Sequence, residues 1–550
     1  MEAIRVSTFN RREILAAFLG LPVALAACRR SAVAPLPEGE IVGASDVFGH
    51  RLRENQSIEV PAGAWQRVPI VIVGGGVAGL TSAWHLLKSG FEDFVLLELE
   101  SAPGGTSRSG SNRSISFPWG AHYIPAPMKE NRTLISLLRE MGVVEGSDKD
   151  DEPVVGEQFL CRDPEERVFY KGRWYEGLYL HAGETQADQA QLEKFSVELA
   201  YWVLWRDSRN RRAFTIPVSA CSDDAEVTAL DRISMGEWMN QRGFSSARLR
   251  WWVDYACRDD YGMTLDQTSA WAGLFYFCSR MPKPNVESQP LITWPEGNGR
   301  LVNHMFEKIK PKVHLDRAAF ELVPIEENGR SRVDVITLDR DGKNPRGLRA
   351  DRVIFAAPQF MARHIVRPFR DKPPAHIAEF QFGSWMVANL TLKDRPLPGS
   401  KRDFPLAWDN VFYESPSLGY VVATHQTGRD RGPTVLTYYY PLCDEDARSA
   451  RTRLLETDWR GWAEVALTDL ARAHPDIRDL VERLDVMRWG HAMIRPRTGF
   501  VWGPARREAA KPFRSIYFAH SELSGVALFE EAFDVGLRVA GEVLKRQIEG

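Results

Sequence analysis

At 550 residues the chain is too long for one compact domain and points to two domains or one large bilobed enzyme. Its composition, 44% hydrophobic and 26% charged, excludes a collagen-like, disordered or multi-span membrane protein. Seventy Lys and Arg against 73 Asp and Glu leave a net charge of −3, so no basic field recruits nucleic acid, and six Cys without a Cys-x-x-Cys pair argue against a disulfide scaffold or a zinc knuckle.

The first 28 residues read as an export signal. Arg11-Arg12 precede an apolar run from Ile14 to Ala27 that is too short to span a bilayer. Asn10 to Leu15 resembles a twin-arginine motif, and Leu25-Ala26-Ala27-Cys28 resembles a lipobox in which Cys28 is acylated. The expectation is a periplasmic, lipid-anchored protein carried by the twin-arginine export machinery. Residues 29–66, with Pro35, Pro37 and Pro61, read as a tether and a surface arm.

The most informative stretch follows. Pro69 to Val73 is a short β-branched run expected as a buried parallel strand. Gly74, Gly76 and Gly79 come next in G-x-G-x-x-G spacing and open a helix expected from about Val77 to Ser89. Phe94 to Leu97 reads as a second strand, and Glu98 stands at its end, 24 residues after the first glycine. Each part has a role in holding a dinucleotide. Gly74 permits the turn, Gly76 lets a pyrophosphate approach, Gly79 lets helix and strand pack, and Val77-Ala78 begin the helix whose N-terminus faces the phosphates. Glu98 can accept hydrogen bonds from ribose hydroxyls.

Beyond Glu98, Gly104-Gly105 and the segment Trp119 to Tyr123 resemble the flavin-containing amine oxidase superfamily. Its relatives include amino-acid and polyamine oxidases, phytoene desaturases and protoporphyrinogen oxidases. Ser515 to Leu544 resembles that family's closing strand, turn and helix, with Phe529-Glu530-Glu531-Ala532 and Gly536 on the pattern and Glu531 where a Gly is usual. Asp351 to Pro358 and Leu291 to Met305 resemble two further segments of the family. The resemblance implies an α/β fold: a Rossmann-like, glutathione-reductase-like FAD-binding domain over 67–125, 290–360 and 485–550, and a discontinuous α+β substrate domain over 126–289 and 361–484. It also implies contacts to FAD from Gly104, Gly105, Thr106, Arg108, His122, Tyr123, Ser521, Glu522, Phe529 and Glu530. No Cys occupies a matching attachment position, the nearest being Cys443, so FAD is expected to be non-covalent. No metal is expected.

Several residues depart from the family pattern. Thr106 replaces an Arg, although Arg108 is near. The segment matched to the family's active-site Lys offers Trp385, Met386 and Val387, with Lys393 too far along. The aromatic pair that brackets an amine falls on Phe500 or Val501 and on Leu528, so half a cage survives at most. The acid of the terminal turn falls on Ser521, with Glu522 one position later. These departures tilt the expected cavity toward an apolar substrate. In the stretch from Trp251 to Arg280, Tyr255, Asp259, Asp260 and Tyr261 mix carboxylates with aromatics; they read either as a cation site or as helix packing and a solvated turn. Trp489, His491 and His520 are the candidate catalytic side chains, and Tyr261, Trp385, Phe500 and Leu528 the candidate substrate pocket. The leading reading is an FAD-dependent oxidoreductase that takes hydride from a small amine or amino-acid-like substrate and passes electrons to O2 or a quinone. The alternatives are a flavin desaturase or isomerase acting on an isoprenoid or lipid, and a non-enzymatic FAD-bound scaffold.

Overall fold

The computed structural model describes residues 35–54, 58–112, 115–284, 288–396, 403–443 and 446–549. The signal read over 1–28 lies outside them. Two large sheets organise the chain. The first is built on the apolar strand Trp65–Val73, flanked in parallel by Phe94–Leu97 on one side and Arg346–Phe355 on the other. The strand starts earlier than expected because Trp65 to Val68 pair with Gly347 to Ala350. The far edge of Arg346–Phe355 is shared between two strands. Its first half pairs antiparallel with Arg330–Asp339, and its last residues pair in parallel with Ile516–Phe518. The helices Val77–Lys88, Gly299–Ile309 and Phe529–Glu549 bear on this sheet, and their apolar residues join one core with Ile70, Ile72, Val353 and Ile516.

The second sheet has eight strands in the order Ile41–Gly43, Val481–Ile494, Phe382–Leu392, Thr434–Pro441, Gly419–Val422, Asp409–Phe412, Glu166–Tyr170 and Arg173–Glu176. The last two form a hairpin that turns at Lys171-Gly172, with Tyr170 opposite Arg173. Strand alternation sorts its side chains. Met386, Ala388 and Leu390 pack with Leu436 and Trp462 under the helices Ala447–Glu456 and Trp459–Leu470. Trp385, Val387 and Tyr439, on the opposite face, join a separate cluster beneath the first lobe. A helical unit, Gln186–Leu204, Ala247–Tyr261 and Ala270–Cys278, closes the side around fully buried Trp238, Trp271 and Phe275.

Two segments are placed differently from expectation. The strand Val481–Ile494 runs through the boundary expected at 485 and belongs to the eight-stranded sheet, so the chain returns to the first lobe between Ile494 and Ile516. The stretch read as a tether is docked over part of its length. Leu484 and Val486 donate their amides to the carbonyls of Glu38 and Glu40 at 2.8 and 2.9 Å. Ile41–Gly43 then pairs with the same strand, and Phe48 and Leu52, on and just after the short helix Asp46–Arg51, enter the core of the first lobe. The physical reason is plain in the composition: Ile41, Val42, Phe48 and Leu52 give this segment apolar surface that a solvated tether lacks.

Candidate functional site

The carboxyl ends of the parallel strands open on a cleft whose space, mouth included, is about 1910 Å3. Gly74 turns the chain out of its strand at φ +106°, a conformation that favours glycine. The first helical bond runs from Leu80 N to Gly76 O at 2.9 Å, so the amides of Val77, Ala78 and Gly79 have no partner within the helix. The paired glycine is tied to this turn, because Gly104 N donates to Gly75 O at 2.7 Å. Glu98 accepts from Gly75 N at 2.6 Å and Glu100 N at 2.8 Å, and burial pushes its carboxyl up to about 7. A side-chain carbon added at Gly76 would meet nothing within 4 Å, so open space lies directly over the helix N-terminus. Free amides, a helix dipole, clear space and a buried carboxylate at the second strand's end are the donor set a dinucleotide requires.

At its inner end the cleft meets a chamber of about 850 Å3, and Thr106, Ala121, Trp489, Ala492, Leu528 and Phe529 line both. One wall is aromatic. His122 lies 5.0 Å from the ring of Tyr439 and 5.1 Å from Trp408, with Trp385 6.5 Å from Tyr439. The Trp489 indole donates to Trp119 O at 2.7 Å and Tyr439 to Gly120 O at 2.8 Å, which fixes both side chains at the junction. Burial lowers His122 to about 4, so its imidazole is neutral at pH 7. The opposite wall is charged. Arg280 Nη2 holds both oxygens of Asp260 at 2.7 and 2.9 Å. Asp259 stands beside them, its proton affinity raised by burial and then by Asp260 and Asp409. Glu530 is 3% exposed, its Oε1 has no hydrogen-bond partner among the described residues, and burial pushes it up to about 7.

The cleft brings together Gly74, Gly76, Val77, Ala78, Glu98, Gly104, Gly105, His491, His520 and Ser521. Thr106, Trp489, Leu528 and Phe529 stand at the junction, and His122, Tyr123, Trp385 and Glu530 in the chamber. Gly79 lies behind, where helix meets strand. Arg108 is behind the cleft as well, its guanidinium 3.9 Å from Glu100 and facing the Trp489 ring. His491 stacks on Phe360 at 3.9 Å and burial lowers it to about 3, while His520 is lowered to about 4. Both imidazoles are neutral near pH 7 and poor proton donors.

Three expected site residues lie elsewhere. Tyr261 is fully buried in the helical unit and donates to Ala272 O at 2.9 Å. Each helical residue turns about 100°, so Tyr261 faces the core while its neighbours Asp259 and Asp260 face the chamber. Phe500 packs edge-on against Phe380 at 5.1 Å in the core of the first lobe. Glu522 is 1% exposed and accepts from Gln359 N at 2.5 Å, a clamp on the chain that leaves Pro358 rather than a cleft contact. Sequence reasoning missed Arg280 and Tyr439 on the chamber wall and Asp46, Arg53 and Arg451 on the cleft. For Tyr439 the strand alternation that points Val435 and Tyr439 away from Leu436 and Tyr438 was an available signal.

Residues 72–141 match the family model of the NAD(P)-binding Rossmann-like domain. The fold is similar to that of a putrescine oxidase solved with putrescine bound, at 16% identity over 88% of this chain and 100% of that one, with a TM-score of 0.60. It is similar also to cyclohexylamine oxidase from Brevibacterium oxydans IH-35A, at 14% identity over 87% and 99% of the two chains and a TM-score of 0.60. A third similar structure is a CLA-producing fatty acid isomerase from P. acnes, at 15% identity over 86% and 98% and a TM-score of 0.58. The architecture, a Rossmann-like lobe with a multi-sheet second lobe, is common to all of them.

Proposed function

We propose that the protein is an FAD-dependent oxidoreductase of the flavin amine oxidase type, acting on a small amine or amino-acid-like substrate. The observation that carries the reading is the chamber at the inner end of the cleft, in which carboxylates face aromatic rings. FAD fits the donor set: Val77 and Ala78 amides toward its phosphates, Glu98 toward a ribose, and Trp489, Leu528 and Phe529 where cleft and chamber join. FAD bound there would supply a hydride acceptor, with O2 or a quinone taking the electrons onward.

The chain's own residues prepare an amine for that chemistry. An alkyl ammonium enters as a cation, and beyond the Asp260–Arg280 pair the charged wall offers it the carboxyls of Asp259 and Glu530. Asp260 neutralises Arg280 through two short contacts, and His122 is neutral, so neither repels the ammonium. The nitrogen must lose a proton before its α-carbon gives up hydride. Glu530, raised to about 7 and with an unpartnered oxygen, can take that proton near neutral pH. Val387, Met493 and Leu528 exclude water from the remainder of the chamber.

The polar wall favours an amine over the apolar substrate expected from the missing cage. The desaturase or isomerase reading draws on the apolar residues of the same chamber and on the fold shared with the fatty acid isomerase. Anaerobic bleaching of the flavin with panels of amines, amino acids and polyprenoids separates the two. Amines should bleach it in wild type, and Glu530→Gln should slow bleaching by about tenfold or more. Bleaching by polyprenoids alone, unchanged in Glu530→Gln, would transfer the assignment to the lipid reading. The export signal and the Cys28 anchor complete the proposal: a folded, FAD-loaded enzyme delivered to the cell envelope.

A further inference from the structure

One wall of the cleft carries two guanidiniums, Arg53 and Arg451, that no carboxylate among the described residues balances. Arg53, at the end of the docked N-terminal segment, and Arg451, on the helix Ala447–Glu456, both line it, with His50 and His491 beside them. The four come from three separate parts of the chain and converge on one face. Arg53 lies over the Phe360 ring that His491 stacks on, and Arg451 Nε donates to Gly490 O at 3.2 Å, which places all of them around one patch.

Their counter-charges are accounted for elsewhere. Asp46 pairs with Arg488 at 3.2 Å. Glu100 is engaged by Ser45, through its amide at 2.8 Å and its hydroxyl at 2.9 Å, and Glu98 by two backbone amides. Among the described residues no carboxylate acts appreciably on Arg53 or Arg451. Burial lowers both guanidiniums, and the charge felt by Arg451 is Arg53 itself. His491 is lowered by burial and by Arg451, Arg53 and His50 in turn. Among the described residues the buried Nε of Arg53 has no hydrogen-bond partner. Like charges brought together in a half-buried cavity wall repel unless an anion joins them.

The geometry points to a phosphate-binding site formed by Arg53 and Arg451, which the docked N-terminal segment completes on the wall of the cleft. Guanidiniums suit this ligand because their planar donors match phosphate oxygens. Two sources offer the chemistry: the diphosphate of a dinucleotide lying in the cleft, or a free phosphate or phosphorylated small molecule bound on that wall. The first source rests on the FAD reading given above; the second does not.

The test uses purified holoenzyme and reads flavin release and thermal unfolding rather than turnover. Arg53→Gln and Arg451→Gln are compared with wild type, and the Arg53→Lys, Arg451→Lys pair serves as the charge-keeping control. If the diphosphate is the ligand, each Gln variant should release flavin faster by about tenfold or more, since each loses a charge-assisted hydrogen bond. Raising the salt should narrow the gap, and the Lys pair should recover part of it. If a separate phosphate is the ligand, flavin release stays unchanged, inorganic phosphate or pyrophosphate raises the melting temperature of wild type saturably, and both Gln variants lose that shift. Flavin release and phosphate response both unchanged in the Gln variants would overturn the site. A protein that purifies without FAD but still shows the phosphate shift would overturn the cofactor reading while sparing the site. In flavin-free protein, removing either arginine relieves repulsion, so the variants should melt no lower than wild type without added phosphate; a lower melting temperature of the flavin-free variants would assign the pair a packing role instead.

Discussion

Gly76 and Gly79 stand three residues apart in the same fingerprint, yet replacing each by Ala should damage different things. At Gly79 a new Cβ would lie 1.9 Å from Gly74 O and 3.2 Å from the Ala356 Cβ. An ordinary contact is about 3.5 Å or more, so helix and strand must part by more than about 1 Å. Overpacking of this kind costs about 1–3 kcal/mol, and the gain of roughly 1 kcal/mol from Gly to Ala in a helix does not offset it. At Gly76 the backbone is extended, with φ −69° and ψ 179°, and a Cβ meets nothing within 4 Å. The fold therefore tolerates Ala there within about 0.5 kcal/mol. The methyl instead occupies the space through which a diphosphate reaches the helix amides. Losing two charge-assisted hydrogen bonds, at about 1.5–3 kcal/mol each, weakens FAD binding by about 100-fold or more. The assay is thermal unfolding of flavin-free protein together with titration by FAD. Gly76→Ala should melt like wild type and fail to turn yellow, whereas Gly79→Ala should melt lower with or without FAD. A yellow Gly76→Ala of near wild-type affinity would refute the reasoning, and so would a Gly79→Ala with unchanged melting.

Burial raises Glu522 from its ordinary 4.5 to about 8, so the folded chain holds that proton more tightly than the unfolded one. Its contribution is complete below about pH 4.5 and is lost as pH rises through 8. Glu522→Gln keeps an acceptor for Gln359 N and should flatten the fall in melting temperature between those limits; an unchanged slope would show that other groups set it. His122 is shifted the opposite way, to about 4, and its contribution is complete above about pH 6.5 and lost as pH falls through 4. His122→Asn should therefore blunt acid unfolding in that window, measured by tryptophan fluorescence, and leave the alkaline side alone. Trp271→Ala, at a site with no exposure in the helical core, should destabilise by about 3–5 kcal/mol in denaturant melts, and a loss under about 1 kcal/mol would contradict its packing role. Changing Arg11-Arg12 to Lys-Lys should keep the protein in the cytoplasm by cell fractionation; periplasmic, FAD-bound protein from that variant would remove the twin-arginine reading.

The dinucleotide lobe was legible because its signals are local. The run Pro69 to Val73, the glycine spacing and Phe94 to Leu97 lie within 30 residues, and the helix and second strand form at Val77–Lys88 and Phe94–Leu97. A local pattern needs no knowledge of what else packs nearby. The chamber could not be read in the same way, because Asp259, Arg280, Tyr439 and Glu530 reach it from four distant segments. For Asp259 and Asp260 the sequence favoured a solvated turn or helix cap over a cation site. What decides is Arg280, twenty residues on, which brings Asp260 into a buried pair. Tyr261 and Phe500 failed for the converse reason. Aromatic residues in a flavin-like cavity and in a core look alike in sequence, and only the direction of one helix face or one loop separates them.

The docking of Glu38 to Leu52 also changes what a Cys28 anchor would do. A tether free from residue 29 to 66 could carry the catalytic lobes about 130 Å from a bilayer. With Glu38 bridged to Arg483 and its carbonyl accepting from Leu484 N, only the ten Cα-to-Cα steps from Cys28 to Glu38 remain to span the distance. Fully extended, they reach about 35 Å. An acylated Cys28 would then hold the eight-stranded sheet's edge close to the membrane. The prediction is a distance. Glu38 is exposed, and Cys221, Cys257, Cys278 and Cys443 are buried, so Glu38→Cys in a Cys161→Ser background can carry a single fluorophore. Energy transfer to a headgroup acceptor in vesicles holding the lipidated protein should place that dye within about 40 Å of the bilayer surface. A separation of about 60 Å or more would mean that the N-terminal segment leaves its sheet edge when anchored, and the docked arrangement would not be the one that works at the membrane.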